Sequence, residues 1–155
     1  MERDEFVARL YAMEERLYRI AKSIVFNESD CGDVLGETVL KAWAKRHTLR
    51  DEALFERWLM RILVNECRNL RRVKPVLPID DMEDFPDETP DYDVDLWAQL
   101  KKLPENYRLP LLLHYMDGYS LKDVAVILNL PLTSVKWRMV KGRERLKKEL
   151  GEDFI

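Results

Sequence analysis

The sequence predicts an all-α protein made of two small helical domains joined by an acidic flexible linker, the second domain containing a helix-turn-helix. Three observations predict it. Apolar residues recur at alternating three- and four-residue steps through much of the 155-residue chain, the period of an amphipathic helix. A block of prolines and carboxylates over residues 75–95 interrupts that pattern. A short apolar helix, a brief break and a longer basic helix then close the chain, in the outline of a helix-turn-helix. The expected boundaries are residues 1–74 for the first domain, 75–95 for the linker and 96–155 for the second domain.

Phe6, Leu10, Met13, Leu17, Ile20 and Ile24 form one apolar seam along a single first helix. Residues 27–30 are a polar break with several candidate N-caps. A second helix follows, with Val34, Leu35, Val39, Ala42 and Trp43 inward. After a polar turn around residues 47–52 comes FERWLMRILVNECRNLRR (55–72). At about 100° per residue, Arg57, Arg61, Asn65, Arg68 and Arg72 share one face within roughly 80°. Phe55, Leu59, Ile62, Leu63 and Leu70 lie opposite, with Trp58 at the border. Glu66 falls at the centre of the apolar side. Either the core contact ends before it or the helix bends there. In-line guanidiniums make a phosphate track, and asparagine can both donate to and accept from a base edge. The wheel alone leaves a DNA-binding face and a merely solvated face both open.

The linker holds nine acidic and no basic residues, whereas residues 1–74 hold 15 basic and 13 acidic and residues 96–155 hold 11 basic and 7 acidic. The net charge of −3 therefore hides two mildly basic flanks, and this asymmetry bears on partners rather than on fold. Four of the 7 prolines lie in the acidic block, where missing donors and like-charge repulsion favour an extended tether.

In the second domain, Leu103-Pro104-Glu105 starts a helix with proline in its first turn. Pro110 kinks that helix or marks a second start. Ser120 with Asp123 is a capping-box-like pair. Asn129-Leu130-Pro131 is the turn, and the final helix runs from residue 132 to 150. Leu132, Val135, Met139, Gly142, Leu146 and Leu150 form its buried seam, within roughly 80°. Thr133, Ser134, Trp137, Val140 and Lys141 lie on the far side. Residues 131–150 carry 7 basic and 2 acidic side chains. An outward tryptophan beside Lys136, Arg138 and Lys141 points to DNA, because this helix is the one that enters the major groove. A solvated helix, or one that docks a protein, is the alternative.

Composition excludes several classes. The chain is 46% hydrophobic and 35% charged with only 5 glycines, and no Gly-rich loop could cradle a phosphate. Its apolar runs are too short to span a bilayer. The opening residues are charged and lack the apolar run of a signal peptide. Cys31 and Cys67 are far apart in sequence, which argues against a zinc site or disulfide framework and suits a reducing cytoplasm. No cofactor, metal or small-molecule substrate is expected.

DVLGETVLKAW (33–43), FERWLMRILVN (55–65), LPENYRLPLLLHYMDGYSLKDVAVIL (103–128) and SVKWRMVKGRERL (134–146) resemble the extracytoplasmic-function sigma factors of bacterial RNA polymerase, in the sigma-70 family. The resemblance covers nearly the whole chain, in order. It implies a promoter-specificity subunit that directs core polymerase to promoters and helps melt them. It implies docking on the clamp helices of the largest subunit through Asp33, Glu37, Lys41 and Trp43, and a contact with the flap. Arg57, Trp58, Arg61, Asn65, Arg68, Asn69 and Arg72 would bind and melt the −10 element, with Asn65 receiving a flipped-out base. Lys136, Trp137, Val140 and Lys141 would read the −35 element, with Thr133, Ser134, Arg138 and His114 alongside. His114 is equally readable as a structural or surface residue. The acidic linker would imitate RNA phosphates in the polymerase or serve only as a tether. The resemblance also implies a membrane anti-sigma factor as partner.

Four positions depart from the family pattern: Gly36 for glutamine, Asn129 for the turn glycine, Thr133 for glycine and Gly142 for alanine. A fifth, Trp137 for serine, bears on the −35 preference, because indole donates a single hydrogen bond. Two other functions compete. One is a stand-alone helix-turn-helix regulator. The other is a metal hydrolase built on Asp30, Asp33 and Glu37, which fall on one helix face but bring no histidine and no second element.

Overall fold

The computed structural model describes residues 1–75 and 94–150, which belong to two compact units, Met1–Leu77 and Pro78–Ile155. The expected acidic linker lies outside the described residues except at its ends, and its last two positions are already helical.

The first unit contains α1 (Arg3–Ala12), α2 (Glu14–Val25), α3 (Glu28–Ala44) and α4 (Phe55–Val73). The single first helix expected from the seam is two. At Met13 the backbone N–H turns back to Leu10 O at 3.0 Å, a tight three-residue closure that ends α1. The seam survives this turn, since Phe6, Met13, Leu17, Ile20 and Ile24 are all buried. Asn27 caps α3 by accepting from Asp30 N at 3.0 Å, a contact worth about 1 kcal/mol. α2 packs on both α3 and α4 and is enclosed enough that Arg19 and Lys22 are buried with the apolar residues. In α3 the buried residues are Asp30, Cys31, Val34, Thr38 and Ala42, while Leu35, Val39 and Trp43, expected inward, are half-buried. Two short 3-10 turns, Arg46–Thr48 and Glu52–Leu54, make the link to α4. Phe6 meets Trp43 and Phe55 edge-on, at centroid distances of 5.2 and 5.8 Å, each pair contributing about 1 kcal/mol beyond area burial.

The second unit contains α5 (Val94–Lys102), α6 (Glu105–Leu111), α7 (Leu121–Leu128) and α8 (Leu132–Leu150). Pro110 neither ends nor restarts α6. The chain runs on into a wider π turn, Leu112–Met116, closed by Asp117 N to Leu112 O at 3.2 Å. Ser120 caps α7 by accepting from Asp123 N at 3.1 Å. Asn129 ends it with φ 55°, the left-handed conformation a turn glycine would otherwise supply. Val135, Met139 and Leu146 of α8 are buried. Gly142 lets α6 come close, because a Cβ there would stand 3.0 Å from Leu111 Cδ1 and 3.4 Å from Tyr107 O. The α7–turn–α8 unit is a helix-turn-helix. Among the described residues no helix is long and apolar enough to cross a membrane.

Candidate nucleic-acid interfaces

α4 is strongly two-faced. Phe55, Leu59, Met60, Leu63, Val64 and Cys67 are fully buried. The buried arc is rotated from the expected one: it takes in Met60, Val64 and Cys67 and leaves Ile62 and Leu70 half-buried. The reason is that α4 packs on two helices, α2 and α3, and their combined footprint is wider than one apolar stripe. On the other face Asn65, Asn69 and Arg72 are exposed, and Arg57, Trp58, Arg61 and Arg68 are half-buried. All seven side chains expected at a −10 surface are therefore brought to one side of one helix.

Glu66 does not mark the end of the core contact. Cys67 beyond it is fully buried, so the core contact continues. Glu66 is held within it by Lys41 of α3, Nζ to Oε1 2.5 Å, with only 11% of the glutamate side chain exposed. The other carboxylate of α4, Glu56, pairs with Arg16 of α2 at 3.3 Å. Both acidic residues of α4 thus engage cations of other helices. The hydrogen bond that Lys41 donates to Glu66, reinforced by the charges of Glu66 and Glu37, raises the Lys41 pKa above its ordinary 10.5.

α3 presents Asp33 and Glu37 to solvent. Between them and Lys41 stands Leu40, 66% exposed, a residue the apolar pattern did not single out. Its signal was available: it is seven residues after Asp33 and three after Glu37, hence on the same face. Trp43 is half-buried, with the Arg46 guanidinium 3.7 Å from its ring centroid. Asp30, grouped with Asp33 and Glu37 in the hydrolase reading, is buried instead and bound to Lys74 at 2.9 Å. Among the described residues no three His, Cys, Asp or Glu side chains converge as metal ligands.

On α8, Thr133, Lys136, Trp137 and Val140 are exposed, and Ser134, Arg138 and Lys141 are half-buried. Thr133, Ser134, Trp137 and Arg138 line an open recess of about 340 Å³. Trp137 is not aimed wholly away from the domain: its ring leans on that of Tyr107, centroids 6.2 Å apart. Arg143 donates to Tyr115 Oη at 2.9 Å, which ties it to the π turn. His114 lies apart from the recess, its Nδ1 2.7 Å from Tyr119 O. A carbonyl can only accept, so Nδ1 carries the proton and Nε2 is left for other partners.

Two family models match in chain order: Sigma-70 region 2 over residues 10–74 and Sigma-70 region 4 over residues 93–146. Paired helical regions of this kind define the sigma-70 class of transcription initiation factors, which are not themselves catalysts. The chain is 33% identical over 141 residues to the extracytoplasmic-function (ECF) RNA polymerase sigma factor SigM of Mycobacterium tuberculosis, covering 88% of this chain and 72% of that protein. It is 25% identical to SigW of Bacillus subtilis, over 97% and 91% of the two chains. The sigma factor RpoE of Bartonella quintana, solved in complex with the anti-sigma factor NepR, is similar at a TM-score of 0.77 and 25% identity, covering 96% and 98%. The chain belongs to the ECF sigma factors of bacterial RNA polymerase. The stand-alone regulator is not favoured by these matches.

Proposed function

We propose that the chain works as a promoter-specificity subunit with no catalytic activity of its own, divided as residues 1–74 for polymerase docking and −10 melting, 75–95 as tether and 96–155 for −35 recognition. One observation carries this reading most directly. The exposed side of α4 sets Asn65 and Asn69 among Arg57, Arg61, Arg68 and Arg72, while the two carboxylates of α4 pair elsewhere. Cations track the phosphates of an opened strand, and an amide among them can hold an unstacked base. Trp58 at the border supplies a ring for stacking. Docking on the largest-subunit clamp helices falls to Asp33, Glu37, Lys41 and Trp43 of α3, and the flap to the second domain. Recognition of the −35 duplex falls to α8 through Thr133, Ser134, Lys136, Trp137, Arg138, Val140 and Lys141, with His114 near the DNA backbone.

The partners are core polymerase and promoter DNA in the cytoplasm, with a membrane anti-sigma factor as regulator. RpoE of Bartonella quintana was solved in complex with the anti-sigma factor NepR, and this chain is similar to that sigma factor over 98% of its length. No cofactor or small-molecule substrate enters the reading.

Asn65→Ala tests it. In reconstituted holoenzyme the variant should bind core polymerase and duplex promoter as the parent does, yet give about tenfold less open complex in permanganate footprints, as one lost base contact of about 1–3 kcal/mol implies. Unimpaired melting would remove Asn65 from the proposed role.

A further inference from the structure

α8 carries an unusual apolar strip on its outward face. Trp137 is 55% exposed and Val140, one turn on, is 45% exposed, with Thr133 exposed one turn before. The indole is not a loose surface group. It rests on the Tyr107 ring at 6.2 Å. Tyr107 is itself buried and has the Arg145 guanidinium 4.6 Å from its ring centroid. The rim is cationic: Lys136 and Arg138 flank the indole, and Lys141 Nζ stands 6.0 Å from its centroid. Three cations against one carboxylate, Glu144, which pairs with Lys141 at 3.5 Å, leave the rim net positive and complementary to phosphates, so duplex DNA rather than an apolar protein face is the matching occupant.

What such a strip can read follows from chemistry. Indole offers one N–H and no acceptor, so it cannot make the bidentate pairs that select guanine or adenine. Valine offers no polar group at all. The apolar feature on the major-groove edge of a natural base pair is the C5-methyl of thymine. Helix positions three apart put their Cβ atoms about 5–6 Å from each other, close enough to address neighbouring base pairs stacked about 3.4 Å apart.

We propose that Trp137 and Val140 read thymine methyl groups at two adjacent base pairs of the −35 element. The inference rests on α8 being the −35 recognition helix. Trp137 sets specificity by burying a methyl group, with the recess between Thr133, Ser134 and Arg138 receiving the base edge.

The test uses holoenzyme reconstituted from the full chain and core polymerase. A randomised −35 duplex library is selected first, and each thymine of the winning sequence, on either strand, is then replaced singly by uracil, which deletes only the methyl. At two adjacent positions the replacement should weaken binding about fourfold, the value of one buried carbon. Trp137→Ser should abolish that penalty at one position and Val140→Ser at its neighbour, both with the salt dependence of the parent. The proposal is overturned, and the −35 reading kept, if uracil costs nothing anywhere while Lys136→Ala and Lys141→Ala still weaken −35 binding. Both fail together if scrambling the −35 element leaves holoenzyme binding unchanged. Loss of affinity for core polymerase in Trp137→Ser, with base preference intact, would also overturn it by making the strip a protein contact.

Discussion

Lys41 Nζ on α3 lies 2.5 Å from Glu66 Oε1 on α4, joining the proposed polymerase-docking helix to the residue next to Asn65. A second bridge, Lys74 to Asp30 at 2.9 Å, joins the first turn of α3 to the residue that caps the C-terminus of α4. The proposed docking and melting faces are therefore built on one helix pair joined by two ion pairs. Glu66 is largely covered, so removing its partner strands a carboxylate. Lys41→Met should lower thermal stability, and adding Glu66→Leu should recover part of the loss. That sub-additivity, read in a double-mutant cycle, measures the coupling. The pH dependence has a definite sign. The folded-state pKa of Lys41 is raised above 10.5, so its contribution is complete below that value and fades as pH rises through the folded pKa. Melting temperatures of parent and Lys41→Met should converge only on that alkaline side, and a gap that instead narrowed below pH 10.5 would contradict the assignment.

Phe26 should show an inverted response to truncation. It ends α2 in the left-handed conformation, φ 57°, which costs an L-residue about 1–2 kcal/mol, and its ring is buried. Burying a side chain of that size returns about 1.5–3 kcal/mol, so packing holds the backbone where a glycine would sit unaided. Phe26→Ala loses the ring and keeps the strain; Phe26→Gly loses the ring and sheds the strain. Glycine should therefore be the milder change by about 1 kcal/mol, read by native-state hydrogen exchange of α2 amides in the full chain. Alanine as the milder change would mean that the strain is relieved some other way.

Asn129 is the corresponding position in the helix-turn-helix, also left-handed but exposed. With no buried ring to offset, Asn129→Gly should be neutral or slightly stabilising. Asn129→Ala should cost about 1 kcal/mol, seen as faster exchange in α7 and weaker −35 duplex binding by the holoenzyme. Equal stability of the two variants would argue against a conformational role for this turn.

The contrast between these two residues shows what was legible in the sequence. Asn129 was readable because asparagine before Leu-Pro is turn chemistry. Phe26 was not, since phenylalanine carries no local preference for that conformation and is held there by tertiary packing. The break at Met13 was hidden for a similar reason: no proline or glycine marks it, and the apolar seam passes through it unbroken. The basic face of α4 was legible because 3.6-residue periodicity alone places Arg57, Arg61, Asn65, Arg68 and Arg72 together. Its buried arc was less so, because a wheel assumes one packing partner and α4 has two. Glu66 looked misplaced for want of Lys41, 25 residues away, and the burial of Lys22 has no local signal because α2 is enclosed by helices a local window does not see.

Leu40 gives the sharpest check on the docking face. A single exposed leucine is ordinary; its position is what singles this one out. It shares the outer side of α3 with Asp33 and Glu37. Beside it runs a shallow apolar groove of about 260 Å³ lined by Leu10, Leu17, Leu35 and Val39, with Tyr11 exposed at its edge. Carboxylates that steer a basic partner, set around an apolar residue that is covered on contact, are the makings of a binding hot spot. Leu40 touches little of its own domain, so its loss should leave folding alone. Leu40→Ala should weaken core polymerase binding about tenfold, as uncovering one leucine of about 1.5 kcal/mol implies, with an unchanged melting temperature. Leu40→Asp should weaken it further, by placing a third carboxylate where apolar contact is needed. Fluorescence anisotropy of labelled protein against core polymerase reads both. Parent-like affinity in Leu40→Asp would mean that polymerase is held by some face other than Asp33–Glu37–Leu40.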